Sequence, residues 1–180
     1  MKNAIVGIFL CLFINGLAQA QAPWQQEADI TRSLVEGLNS ALTEHEISAN
    51  NKKSDAVIER ADAQAQREIA MTKLRNGGMT IEEANIVLET GDNDITSGNN
   101  SIECGNSLMY IGSELETYGD IAMVLSDDYY EEQDYYQSYN KADTAYTDYD
   151  DAINKYDDAK DLYINAKSNF TNAKNYFMSL

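Results

Sequence analysis

The last third of the chain repeats alanine and aromatic residues with a period of seven. Ten residues form two interleaved series whose offsets alternate between four and three: Ala145, Tyr149, Ala152, Tyr156, Ala159, Tyr163, Ala166, Phe170, Ala173 and Phe177. On an α-helix these offsets place both series side by side, with aromatics at heptad position a and alanines at d. Alanine lets a neighbouring backbone approach closely, and the rings fill the holes so created. The pattern predicts a helix-packing seam of five heptads.

Two partners for this seam are consistent with the sequence. The face can pack against the protein's own helices, or it can pair with a second copy and form a homo-oligomer through coiled-coil contacts. Upstream, the same register places Asp128, Glu131 and Ser138 on the seam. The seam is therefore predicted to begin only at 142–145. The acidic segment 127–139 before it is predicted to be exposed surface, where any partner of another kind would be met.

The first twenty residues read as a secretory signal peptide. Lys2 supplies a basic start, 4–17 an almost wholly apolar run, and Ala18-Gln19-Ala20 a small-residue cleavage site. A mature chain that begins at Gln21 is secreted or periplasmic, and we expect no transmembrane anchor in it. It retains one cysteine, Cys104, which is either tucked against a helix or joined to another chain by a disulfide.

The rest of the chain predicts a single all-α domain over 21–180, built as an elongated helical hairpin or bundle. Its only proline is Pro23. We predict two helices within 24–75, separated by the polar stretch 48–55, and an acidic central segment 76–126 that contains a short helix and a loop at 91–101. A long heptad helix follows over 127–178. The large apolar residues at three- and four-residue spacing are expected to face inward: Ile30, Leu34, Leu38 and Leu42; Val57, Ile58 and Ile69; Leu108, Ile111, Ile121, Val124 and Leu125.

The acidic charge restricts the partners of this protein. The formal net charge is −17, and 76–140 contains fourteen Asp and Glu but no Lys, Arg or His. Such a surface repels nucleic acid and anionic lipid, and it favours cations or a basic protein partner.

One polar stretch has the spacing of an EF-hand calcium loop. Positions 1, 3, 5, 9 and 12 of that loop correspond to Asp92, Asp94, Thr96, Asn100 and Glu103. Ser97, however, stands where the loop requires glycine for its sharp turn. Calcium binding at this stretch is therefore one expectation, and an ordinary polar loop is the alternative. No other cofactor is expected.

The sequence offers little for catalysis. Its single histidine, His45, rules out a histidine metal cluster, and it has neither a phosphate-binding glycine loop nor a nucleophile elbow. We expect no enzyme, but a secreted acidic helical protein that acts by coiled-coil packing or self-association. The alternative is a calcium- or cation-responsive binding protein that uses the acidic central block. A helical carrier of small apolar ligands is a third possibility.

Overall fold

The computed structural model describes residues 2–77 and 80–180, with the backbone alone for 2–20. These residues form three α-helices and no β-strand: α1 spans Lys2–Arg75, α2 spans Ile81–Glu131 and α3 spans Tyr135–Met178. The helices pack against one another as a helical bundle, which confirms the predicted all-α fold and its long C-terminal helix with the aromatic and alanine seam. The leader and its cleavage site stay predictions, because the side chains of 1–20 lie outside the described part.

The chain divides into two compact units, and all three helices contribute to each. The first unit combines α1 up to Leu42 with Glu114–Ala152, and the second combines Thr43–Ser113 with Ile153–Leu180. In the second unit, side-chain bonds join α1 to α3 at sequence separations of 112 and 115 residues, as in Asp55 with Lys167 and Glu59 with Lys174. These two helices are therefore parallel, and α2 runs antiparallel to both.

The helix ends follow from local chemistry. Gly77 has φ +80°, a conformation that glycine adopts without strain, and its N–H donates to the carbonyl of Leu74. This turn directly follows the end of α1 at Arg75. Just before α2, the hydroxyl of Thr80 donates to the Glu83 carboxylate at 2.7 Å. Between α2 and α3, Gln133 has φ +63°, and the Asp134 carboxylate accepts the N–H of Gln137.

Three predicted helix boundaries were wrong. The stretch 48–55 is helical, so 24–75 belongs to one helix and not two. The predicted loop 91–101 lies inside the 51-residue helix α2. The long C-terminal helix begins at Tyr135 instead of 127, because the chain reverses at 132–134. Asn, Asp, Ser and Gly favour turns only as a local preference, and tertiary packing overrides it here.

Small side chains form the interior of α1 and α2. From residue 28 to residue 70 of α1, every seventh residue is buried: Ala28, Val35, Leu42, Ala49, Ala56, Ala63 and Ala70. The same period on α2 gives another buried series: Ala84, Gly91, Gly98, Gly105, Gly112, Gly119 and Ser126. A period of seven keeps each series on one side of its helix. All three helices therefore carry a heptad period, which we predicted only for α3.

Most of the large apolar residues predicted to face inward lie outside. Ile30, Leu34, Ile58 and Ile69 on α1 are exposed, as are Ile111, Ile121, Val124 and Leu125 on α2. Leu42 is the exception on the inner side of α1, where Val35 is buried as well. The prediction was wrong because it ranked residues by hydrophobicity, whereas the interior of this bundle selects small residues opposite the aromatic rings of α3.

Candidate functional site: the inner seam and the outer faces

All ten residues of the predicted seam lie in the interior of the single chain. Their exposed fraction is 0 or 1%. The rings on α3 lie directly against the glycines of α2, in the pairs Tyr149 with Gly119, Tyr156 with Gly112, Tyr163 with Gly105, Phe170 with Gly98, and Phe177 with Gly91. A Cβ built on Gly105 would lie 2.6 Å from Cε1 of Tyr163. The protein's own α2 thus occupies the seam along its whole length.

The tyrosine hydroxyls reach polar residues that follow the glycines. Tyr149 donates to the Asp120 carboxylate at 2.5 Å, and Tyr163 donates to Oδ1 of Asn106 at 3.0 Å. Each acceptor stands one position after the glycine under that ring. The ring is therefore buried on glycine while its hydroxyl keeps a partner, which satisfies the two requirements of an interior tyrosine.

The same geometry leaves one acceptor without a donor. Oδ1 of Asn99 is buried and has no hydrogen-bond partner among the described residues. Asn99 follows Gly98, and the ring on Gly98 is Phe170, which has no hydroxyl to offer. An unpaired buried carbonyl oxygen lowers stability relative to a paired one.

We expect Phe170→Tyr to stabilise the protein by about 1 kcal/mol, since the new hydroxyl donates to Asn99. Phe177→Tyr is the matched control. The acceptor next to its ring, Asp92, is already held by Arg67 at 2.5 and 2.7 Å. Urea unfolding followed by circular dichroism measures both variants. A lower free energy of unfolding for Phe170→Tyr than for the unmodified protein would contradict the pairing rule.

Burial changes the acidity of these phenols. It raises the pKa of Tyr163 to about 12. Burial, followed by the bond to Asp120, raises the pKa of Tyr149 well above its usual value. In the unfolded chain both phenols lose their proton near pH 10. Their contribution to stability is therefore complete below pH 10 and is lost as the pH rises toward 12.

We expect the urea midpoint to fall between pH 10 and 12, and to fall less in the double variant Tyr149→Phe/Tyr163→Phe. Lysine deprotonation and charge repulsion act on both proteins alike, so the difference between the two curves isolates the two phenols. Equal losses in the two proteins would show that these tyrosines have ordinary acidity.

The seam extends one heptad further toward the N-terminus than predicted. Ser138 is fully buried, and its carbonyl accepts the hydroxyl of Ser126 at 2.9 Å, while the two hydroxyl oxygens lie 3.1 Å apart. A buried pair of serines thus continues the series of small residues. Ser138 is small enough for the interior and forms a hydrogen bond with another polar residue there. We predicted a later start of the seam because hydrophobicity alone excludes serine from it.

The five residues of the predicted calcium loop are not brought together. Asp92 and Asp94 are about 200° apart around a continuous helix, and Asp92 is engaged by Arg67. Thr96 donates to the carbonyl of Asp92 along the helix, and Asn100 and Glu103 are exposed further along it. An EF-hand loop curls around its ion, whereas a helix directs its side chains outward. Among the residues that the structure describes, no three His, Cys, Asp or Glu side chains are grouped to hold a metal ion.

His45 and Cys104 also lie at defined positions in the bundle. Nδ1 of His45 lies 2.9 Å from the Asp157 carboxylate, and this hydrogen-bond contact joins α1 to α3 in the second unit. Burial alone would raise the pKa of Asp157, but His45 and Lys160 together hold it below its usual value. Cys104 is an exposed free thiol on α2, so the interpretation of a tucked thiol was wrong.

The segment 127–139 is only partly the free surface that was predicted. Tyr136 and Tyr139 contact Trp24 of α1, with ring centroids 4.8 and 5.7 Å apart. The guanidinium of Arg32 lies 4.4 Å from the ring centroid of Tyr130. The aromatic residues here therefore attach the α2–α3 turn to α1. Carboxylates such as Asp128 and Glu131 remain exposed.

Four large apolar residues form an exposed strip on the outer side of α2. Tyr118, Ile121, Val124 and Leu125 all belong to the first unit and are exposed by 37 to 61%. Spacings of three and four residues place them together on one side of the helix. We call these four residues the outer strip. Isolated exposed apolar residues are ordinary, but a contiguous group is typical of an interaction site.

No protein-family model, no curated protein and no solved structure matches this chain. In the part of the chain that the structure describes, no helix contains a segment both long and apolar enough to cross a membrane.

Proposed function

We propose that this chain is a secreted, non-catalytic structural or interaction protein that acts through the outer faces of a helical bundle. The supporting observation is the inverted distribution of its apolar residues. Alanine, glycine and aromatic rings fill the interior, while the outer strip stays on the surface. Large apolar side chains that are exposed to water do not stabilise the interior. A contiguous group of them is typical of a surface that binds another molecule.

This proposal replaces self-association through the aromatic seam. A second copy that used the seam would have to displace α2 from five rings and break the bonds to Asp120 and Asn106. Binding of a partner to the outer strip requires no such rearrangement of the helices. Association through the outer strip leaves these interior contacts intact.

The experiment compares two double variants for Nile red binding. Nile red is uncharged, so the acidic surface does not repel it. Ile121→Gln/Val124→Gln removes the centre of the outer strip, and Ile81→Gln/Ile86→Gln is the matched control on the same helix in the second unit, where both isoleucines are exposed. We expect the native protein to enhance Nile red emission, the outer-strip variant to lose most of that enhancement and the control to keep it.

Stability provides the second readout of the same variants. Surface substitutions of this kind change the free energy of unfolding by no more than about 0.5 kcal/mol. If Ile121→Gln/Val124→Gln instead unfolds the protein, these residues belong to the core and the proposal fails. It also fails if the native protein does not enhance Nile red emission.

A further inference from the structure

The negative charge is concentrated in the unit that carries the outer strip. From Gln21 onward, the first unit contains fifteen Asp and Glu against only two basic residues, Arg32 and Lys141. The second unit contains fifteen Asp and Glu against ten Lys and Arg. The net charges are therefore −13 and −5. The exposed apolar residues of the outer strip thus lie within the strongly negative unit.

A groove of about 270 Å³ adjoins the outer strip in this unit. Val35, Met123 and Val124 give it apolar walls, and Glu36 and Asp120 place carboxylates at its edge. Val124 belongs both to the groove and to the outer strip. An apolar surface therefore continues from the exposed side of α2 into a groove bordered by acidic groups.

The carboxylates of the groove differ in their availability. Asp127 is paired with Arg32, and Asp120 accepts the hydroxyl of Tyr149. Glu36 is exposed and forms no hydrogen bond or ion pair with the described residues. Glu36 is thus the carboxylate open to an added cation, and Asp120 retains acceptor capacity beside it.

We propose that the outer strip and its groove bind a cationic amphipathic helix of another protein. The apolar side of such a helix covers Ile121, Val124 and Leu125, while a lysine or arginine lays its aliphatic stem along the groove and brings its charge to Glu36. A second copy of this chain is disfavoured, because two surfaces of −13 repel each other. This inference rests on the proposed function and specifies its partner.

The probe is a synthetic 18-residue helix of leucine and lysine, labelled with fluorescein and titrated with the purified protein by fluorescence anisotropy. Control peptides replace every lysine by glutamate, or scramble the order so that the apolar side is lost. We expect binding of the leucine–lysine helix alone, with a Kd that rises with salt between about 50 and 500 mM as the charges are screened.

Variants of the protein separate the apolar contribution to peptide binding from the electrostatic one. Ile121→Gln/Val124→Gln should weaken binding at least tenfold, Glu36→Gln severalfold with a smaller salt dependence, and Ile81→Gln/Ile86→Gln not at all. Binding that is unchanged in the outer-strip variant, or equal for the glutamate peptide, would overturn the inference. If Nile red binds the outer strip but the cationic helix does not, the partner class is wrong while the proposed function stands. If neither binds, both fail.

Discussion

Gly105→Ala is expected to destabilise the protein by about 2 kcal/mol, although alanine is the better helix former. The added Cβ would lie 2.6, 2.9 and 3.1 Å from three ring atoms of Tyr163. That ring cannot turn aside, because it is fully buried and its hydroxyl is bonded to Asn106. Two of these distances are below 3.0 Å, so we expect the overpacking cost near the top of its usual range of about 1 to 3 kcal/mol. The helix-propensity gain of about 1 kcal/mol then leaves a net loss of about 2 kcal/mol.

Gly37→Ala is the matched control within a helix. A Cβ at Gly37 meets no atom within 4 Å. Only the helix-propensity term remains there, so we expect a gain of about 1 kcal/mol. The melting temperatures and urea midpoints of the two variants should therefore shift in opposite directions. Shifts of the same sign would show that the glycines of α2 are not selected for close approach to the rings.

The five glycines explain both the stability of α2 and the failure to predict it. Each interior glycine costs a helix about 1 kcal/mol relative to alanine, or about 5 kcal/mol for the series. By local rules Gly91 and Gly98, flanked by Asp, Asn and Ser, mark a loop. The five buried rings of α3 offset this cost only when all three helices are assembled, and no local window of the sequence contains that information.

A signal for α2 was nevertheless present in the sequence. Glycine recurs every seven residues from Gly91 to Gly119, the same period as the aromatic residues of α3. Five small residues matched by five rings predict one antiparallel pairing, with Phe177 opposite Gly91. The α3 seam was predictable because its aromatics are conspicuous. The buried series of α1 and α2 were not predicted, because glycine and alanine are rarely counted as the apolar side of a helix.

The candidate site was less predictable than the fold. The sequence indicated a negative surface and a basic partner, but it placed Ile121 and Val124 in the interior. Which side of α2 faces water depends on the position of the glycine series. Once Gly119 is inward, Ile121 is about 200° away and faces outward. Locating one small residue therefore determines the exposed site as well as the core.

Tyr163→Ala is expected to cost about 3 to 5 kcal/mol, the range for removing a buried aromatic ring. Tyr163→Phe removes only the hydroxyl and should cost about 1 kcal/mol, since Asn106 loses its donor. The decisive measurement is Gly105→Ala made in the Tyr163→Ala background. Because the ring is absent in this background, the added methyl group meets no clash and should stabilise the Tyr163→Ala protein by about 1 kcal/mol. The same substitution destabilises the unmodified protein. The coupling energy of this double-mutant cycle is then about 3 kcal/mol, and a value near zero would contradict the ring-on-glycine seam as the basis of the fold.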